Sequence, residues 1–403
     1  MPRRLPAPMR LPRKALRGTL RFLPARREGP DALQRFFKGW KALVPIAIGV
    51  GIAAWMLSST WNSPVDASGT TQGDLLRTFR WTPRATLGVV LACCCVLLRD
   101  FSYIYRLRVL SGGTLSWRAC FEGTVLWELA SAITPSAAGG STVAVLIFNR
   151  QGMAMGRSLS MVFVASMLDE LFYLVAVPLA LLAVYLLGGK VFPEVGELAA
   201  WGNASIPVFF WTAYGIIAVF TTLVWWGIVR NPHKAAALMV RLVSWGPARR
   251  WKPRMERWGG ELVLAGEAMR GATAGFWWKA FGATALSWTG RFLTLNAVLL
   301  VFFATVPHAA VLGRQLIMWL TLLFSPTPGS SGFAELALPA FLGDLTGPAY
   351  LAAVAVVWRL FTYAPYLVVG FLVLPGWLVR TGKKRRRKRT ARAFPPPPVA
   401  SDQ

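Results

Sequence analysis

The chain alternates between long apolar runs and short basic ones. A full membrane span needs roughly 20 apolar residues. Six stretches qualify: 42–60, 85–105, 158–187, 206–229, 276–304 and 349–378. Two further apolar stretches, 117–149 and 314–343, are interrupted by "TPSAAGG" (134–140) and "SPTPGSSG" (325–332). Proline and glycine are the poorest helix formers, and hydrocarbon offers no water to a broken backbone. Arm length gives the reason for the breaks. Twelve residues separate Glu122 from Pro135, and nine separate Gly140 from Arg150. Helices that short span ~14–18 Å, against a hydrocarbon core of ~30 Å. Arms 314–325 and 332–342 are equally short. Both stretches are expected to be re-entrant hairpins, buried in protein or lining a wet cavity. The fold expected is an all-α polytopic membrane protein of six full spans plus two re-entrant hairpins.

Composition agrees with this reading. The chain is 55% hydrophobic and 15% charged, with a mean hydropathy of +0.47. A net charge of +27 would suit a nucleic-acid binder, but the positions of the charges exclude that. With the N-terminus in the cytoplasm, 36 of the 44 Lys and Arg fall in cytoplasmic segments and five in outer loops. The remaining three, Arg99, Arg291 and Arg359, fall within spans, and Lys279, at the cytoplasmic edge of 276–304, is counted with the cytoplasmic residues. The imbalance follows the positive-inside rule and places both termini in the cytoplasm, with a bacterial cytoplasmic membrane as the expected location. The same topology makes the hairpins oppositely oriented and the halves 42–187 and 206–378 inverted copies. The spacing TP-x3-G occurs in both hairpins, at Thr134-Pro135…Gly139 and Thr327-Pro328…Gly332. Inverted repeats with broken helices are a recurring transporter plan, and the breaks point to the binding site.

Around the membrane domain 42–379 lie a basic arm (1–41) and a basic, Pro-rich tail (380–403), both expected to be disordered and cytoplasmic. A basic cytoplasmic loop covers 230–275. Within it "KAAALMVRLV" (234–243) has the apolar spacing of an interfacial helix. The run "KKRRRKR" (383–389) follows the last span, where contact with anionic lipid is expected.

Ionisable residues inside a span cost about 2.5–3.5 kcal/mol each on insertion scales. Arg291, Asp169, Glu170, Glu335 and Arg359 are the candidates for a polar substrate pathway. The arginines would attract an anionic headgroup, because a guanidinium fork fits phosphate. The hairpin tips, Gly139-Gly140-Ser141 and Gly329-Ser330-Ser331-Gly332, would offer backbone N–H groups to it. Asp169 and Glu335 are candidate proton carriers. The alternative for all five is a set of structural ion pairs, with Glu335 stabilising the first turn after Gly332. Arg99 lies nearer the cytoplasmic end of its span, where it can snorkel.

Cys93, Cys94, Cys95 and Cys120 form no CxxC pair, and His233 and His308 are too few for a zinc site. The cysteines read as small buried apolar residues. No metal and no cofactor are expected. No GxxxxGK[ST] loop occurs, so ATP hydrolysis by that route is not expected. A Ser/His hydrolase is a poor fit, with both histidines expected in loops.

Two regions carry a family resemblance. They are "ITPSAAGGSTVAVLIFNRQGMAMGRSLSMVFVASMLDELF" (133–172) and "FSPTPGSSGFAELAL" (324–338). They resemble the signature regions of the flippase-like family that includes the lysylphosphatidylglycerol synthase transmembrane region. Thr134, Pro135, Gly139, Gly140, Arg150, Leu168 and Asp169 match the first region. Pro326, Thr327, Pro328, Gly329, Gly332 and Glu335 match the second. The resemblance covers roughly residues 40–380. It departs at Ser141, where many members have Glu, and at Ala165-Ser166, where many have Glu-Arg. Ser330 stands in place of a glycine. These departures bear on the substrate more than on the fold. The resemblance implies movement of a phospholipid or related anionic amphiphile between leaflets. Related synthases add a large soluble catalytic domain, and only about 25 residues follow the last span here, so an enzyme is not expected. The alternative is a non-transporting scaffold or partner for a separately encoded lipid-modifying enzyme. The sequence also leaves room for a homodimer.

Overall fold

The computed structural model describes residues 69–134, 137–153, 155–187, 205–244, 249, 252–269, 272–323, 327–330, 332–347 and 349–393, with scattered positions between 51 and 64. All of them belong to the unit 39–403. The basic arm 1–41, most of the expected span 42–60, Pro135, Ser325, Pro326, Ser331 and the proline run 395–398 lie outside the described residues.

The described residues are helical apart from one isolated bridge, Pro64 to Thr71. A short α1 (Gln72–Arg77) precedes α2 (Pro83–Leu110). Helix α2 starts where Thr82 accepts from Ala85 N–H and Pro83 fills the first turn, a position that needs no N–H donor. Then come α3 (Trp117–Ile133), α4 (Ala137–Arg150), α5 (Met155–Leu186) and α6 (Ser205–Trp225). A π-turn at Trp226–Arg230 leads to α7 (Pro232–Leu242) and α8 (Lys252–Met269). The second half holds α9 (Ala274–Phe302), α10 (His308–Leu323), a 3₁₀ turn at Pro328–Ser330, α11 (Phe333–Thr346), α12 (Leu351–Thr362) and α13 (Ala364–Ala393).

Four segments are long and apolar enough to cross a membrane: Pro83–Leu110, Arg157–Leu186, Ala274–Phe302 and Leu351–Gly382. Phe210–Trp225 is apolar but shorter. Helix α9 is the central one. Its most apolar window is 61% buried within the protein, against 22–28% for the other three. The outward faces of the others present Leu87, Leu97, Phe101, Leu179, Leu182 and Leu372, as hydrocarbon requires.

Small residues set the contact between α2 and α9. An added Cβ on Gly290 would lie 2.7 Å from the Cys95 carbonyl, and one on Gly88 would lie 2.8 Å from the Ala297 carbonyl. The helices run antiparallel with backbones in contact, which only small residues permit. Gly290→Ala is therefore expected to destabilise by about 1–3 kcal/mol, the usual range for overpacking. Thermal denaturation of the protein in detergent reads this directly.

Helices α3 and α4 form one antiparallel hairpin, and α10 and α11 form another. In the first, Gly123 faces Phe148 and Gln151 Nε2 donates to the Ala119 carbonyl at 3.0 Å. In the second, Arg314 is fully buried and grips Asp344 with two bonds, of 2.6 and 2.8 Å. The arms hold 17 and 14 residues in the first hairpin and 16 and 14 in the second. They are longer than the sequence suggests, ~21–25 Å, yet still short of ~30 Å. The reason is that Glu122 does not end its arm: Arg118 and Arg380 neutralise it at 2.9 and 2.6 Å.

Other expectations need correction. The last span is broken at Tyr363, whose φ/ψ of −124°/−51° interrupts the helix. The basic segment after residue 380 is helical to Ala393, since Lys and Arg are good helix formers. His233 lies in α7 and His308 opens α10, so neither is in a loop. Cys93 and Cys94 face outward, and only Cys120 is buried. Arg106 and Arg314, counted as loop residues by sequence, are buried within helices. Moving these two leaves the charge imbalance between the two sides intact.

Candidate functional site

The two breaks meet. Gly329 lies against the Ala132 backbone, with an added Cβ falling 3.0 Å from its carbonyl and 2.7 Å from the Tyr363 ring. Tyr363 also donates its hydroxyl to Ala132 O at 3.2 Å. The last turn of α3, the 3₁₀ turn and the break between α12 and α13 thus converge on one point.

Backbone conformation shows why the turn needs its sequence. Gly329 and Ser330 adopt φ of 58° and 52°, the left-handed region that costs an L-residue roughly 1–2 kcal/mol. Ser330 stands where the resemblance expects glycine, and its hydroxyl offsets part of that cost by donating to Leu322 O at 3.1 Å. Gly329 has no room for a side chain at all. Gly329→Ala is expected to lose about 2 kcal/mol or more by combining strain with a backbone clash. A lowered melting temperature in detergent would show it.

The glycines of the first tip have a different job from the one expected. A Cβ on Gly140 would lie 2.1 Å from Ser131 Oγ, and one on Gly139 would lie 2.7 Å from Thr134 Cβ. They let α4 close against α3. In the second tip, the Gly332 N–H donates to Glu335 Oε2 at 2.7 Å, so this donor is already occupied. Glu335 therefore does cap its helix, as the structural alternative held. Arg359 completes the turn, binding Glu335 at 2.8 Å and the carbonyls of Gly329 and Ser330 at 3.3 and 3.0 Å.

Beside this junction lies a cavity of about 310 Å³. Arg106, Glu128, Asp169, Glu170, Arg291 and Arg359 line it, together with Ser141, Thr134, Thr327, Gly329 and Ser330. The expected pathway residues Arg291, Asp169, Glu170 and Arg359 are thus brought together, and Glu335 stands behind Arg359. Arg106, 1% exposed, holds Asp169 at 2.5 Å. Trp288 Nε1 donates to the same carboxylate at 2.8 Å. Arg99, 2% exposed, binds Glu128 at 2.6 Å and Asp100 at 3.8 Å. It does not snorkel, because its partners lie inside. Tyr366 bridges Arg99 and Asp100.

Arg291 differs from these. Its guanidinium lies against the Trp288 and Trp319 rings, 5.0 and 4.9 Å from their centroids, and the two indoles pack edge-to-face on each other at 5.2 Å. Its ion-pair contact is to Glu128 at 3.4 Å, and its Nε is buried without a hydrogen-bond partner. Cation–π contact holds it in place while much of its hydrogen-bonding capacity stays open.

Sequence reasoning missed Glu128 and Arg106. Glu128 could have been found by the rule applied to Asp169, since it is a carboxylate in the middle of an apolar run, 123–133. Ser141 and Ser166, where the resemblance expects a Glu and an Arg, both line the cavity. The cation for Asp169 comes instead from Arg106, across the bundle.

Fold and site together define a multi-pass helical membrane protein with a charged internal cavity beside two helix breaks. The chain belongs to the lysylphosphatidylglycerol synthase TM region family, whose model matches residues 42–370. It is also similar to a UPF0104 membrane protein of Archaeoglobus fulgidus, 24% identical over 286 residues that cover 68% of this chain and 82% of the relative. No solved structure matches the chain.

Proposed function

We propose that the protein moves a phospholipid or related anionic amphiphile between the leaflets of a bacterial cytoplasmic membrane. It does so as a transporter, not an enzyme, and without hydrolysing ATP. The observation that carries this reading is Arg291, held against a pair of indoles with open donors at a cavity large enough for a headgroup. Acyl chains would stay in hydrocarbon, since exposing each CH₂ to water costs about 0.8 kcal/mol.

The topology that goes with this function has six full spans, two oppositely oriented re-entrant hairpins and both termini in the cytoplasm. Its support is the shortness of all four arms, the meeting of the two breaks and the antiparallel pairing of α2 with α9. These are the features of inverted repeats built around a central site.

Fluorescent phosphatidylglycerol in proteoliposomes tests the proposal. Membrane-impermeant quencher should reach nearly all the label, against roughly the outer half in protein-free vesicles. Label that stays half protected for every lipid class would remove the transport reading and leave the scaffold alternative.

A further inference from the structure

The charges around the cavity do not balance. Arg99, Arg106, Arg291 and Arg359 are matched by Asp100, Glu128, Asp169 and Glu335, each in an ion pair. Glu170 is a fifth carboxylate. It lines the cavity and takes part in no ion pair among the described residues. Its Oε2 is buried with no hydrogen-bond partner.

Its surroundings supply no spare cation. Asp169 and Tyr173 come from its own helix, Tyr103 and Arg106 from α2, Glu128 from α3 and Arg291 from α9. Arg106 is committed to Asp169. Helices α4 and α10 contribute only the uncharged Ser141, Gln315, Met318, Trp319 and Leu322. Tyr214 of α6 turns its hydroxyl to Leu174 O, and α8 gives no residue to the lining. An ionised Glu170 would leave the cluster one negative charge in excess, in surroundings where an unpaired charge costs several kcal/mol. An anionic headgroup on Arg291 would add a second.

Resting on the transport reading above, we infer that Glu170 is a proton-binding site and that the anionic headgroup crosses together with one proton on it. The proton enters from the more acidic side and binds the free carboxylate, which makes the cluster neutral. A phosphodiester carrying one negative charge then travels with it, and the proton leaves on the opposite side. The complete cycle moves no net charge. This assignment displaces Asp169 and Glu335, whose carboxylates are already occupied by Arg106 and Trp288, and by Arg359 and Gly332 N–H.

Two measurements test it. First, phosphatidylglycerol distribution is followed in proteoliposomes with the outside one pH unit more acidic, against protein-free vesicles. One-to-one coupling allows up to about a tenfold enrichment in the inner leaflet, since one pH unit is a factor of ten in proton activity. Glu170→Gln is locked in the neutral form, so whatever lipid it moves should distribute without regard to the pH difference. Second, short-chain phosphatidylglycerol is added to detergent-solubilised protein in weak buffer with an indicator dye. In buffer alkaline enough that Glu170 is ionised before lipid is added, wild type should take up as much as one proton per bound lipid, and Glu170→Gln none.

A wild-type distribution indifferent to the pH difference would overturn the inference. So would a Glu170→Gln protein that enriches lipid or takes up protons as wild type does. Failure of the transport reading shows separately, as no lipid movement by wild type under any condition, and the inference falls with it.

Discussion

Glu128→Gln is expected to destabilise the fold by about 3–5 kcal/mol. The glutamine has the same shape, so packing is unchanged and only charge is lost. Two arginines depend on that charge: Arg99 at 2.6 Å and Arg291 at 3.4 Å. Arg99 is 2% exposed, and its other carboxylate, Asp100, is 3.8 Å away. Removing one partner of a buried ion pair costs about 3–5 kcal/mol, because the other stays charged and desolvated. That is a large part of a total stability of about 5–15 kcal/mol. Size-exclusion profiles and melting temperatures in detergent measure the loss. Replacing Arg99 and Glu128 together with leucine should recover part of the stability, since the fully buried Arg99 is no longer stranded and the charges that lose a partner, Asp100 and Arg291, are 31% and 20% exposed. A double variant as unstable as the single one would show that Glu128 does not act through Arg99.

Arg291→Gln should do the opposite, leaving the fold standing and stopping transport. Glu128 keeps Arg99 when Arg291 is neutralised. The side chain of Arg291 is 20% exposed and makes one long ionic contact, so little stability depends on it. The headgroup, by contrast, loses charge-assisted hydrogen bonds of about 1.5–3 kcal/mol, or roughly a ten- to hundredfold drop in rate. The quencher assay in proteoliposomes measures that drop, and the melting temperature is the control. Arg291→Lys should recover only part of the rate. Lysine keeps the charge but lacks the planar fork that rests on the two indoles and meets phosphate with paired donors. Full activity in Arg291→Gln would remove Arg291 from the substrate path.

The site was legible where chemistry depends on residue type alone. Prolines and glycines announce both breaks, because no partner elsewhere can make them good helix formers. Arg291, Asp169 and Arg359 stand out because the cost of charge inside a span depends on depth. Partnership is another matter. Which carboxylate meets which arginine is fixed by where helices cross, and no single segment encodes that. Arg106 reads as a loop residue because hydropathy falls before it, yet α2 runs on to Leu110 once Asp169 neutralises the charge. Glu128 lies in an arm whose breaker draws attention to its end and away from its middle. Glu170 reads as the lesser half of an Asp-Glu pair. Only the bundle shows that Asp169 is occupied and Glu170 is not.

The glycine contact between α2 and α9 has a mechanical consequence. Carbonyls sit 2.7–2.8 Å from the places two Cβ atoms would fill, so the two helices can lie this close only in a register that sets Gly88 and Gly290 against them. Under the transport we propose, that makes the pair the expected axle, and the hairpin tips and the helix break at Tyr363 the places expected to turn about it.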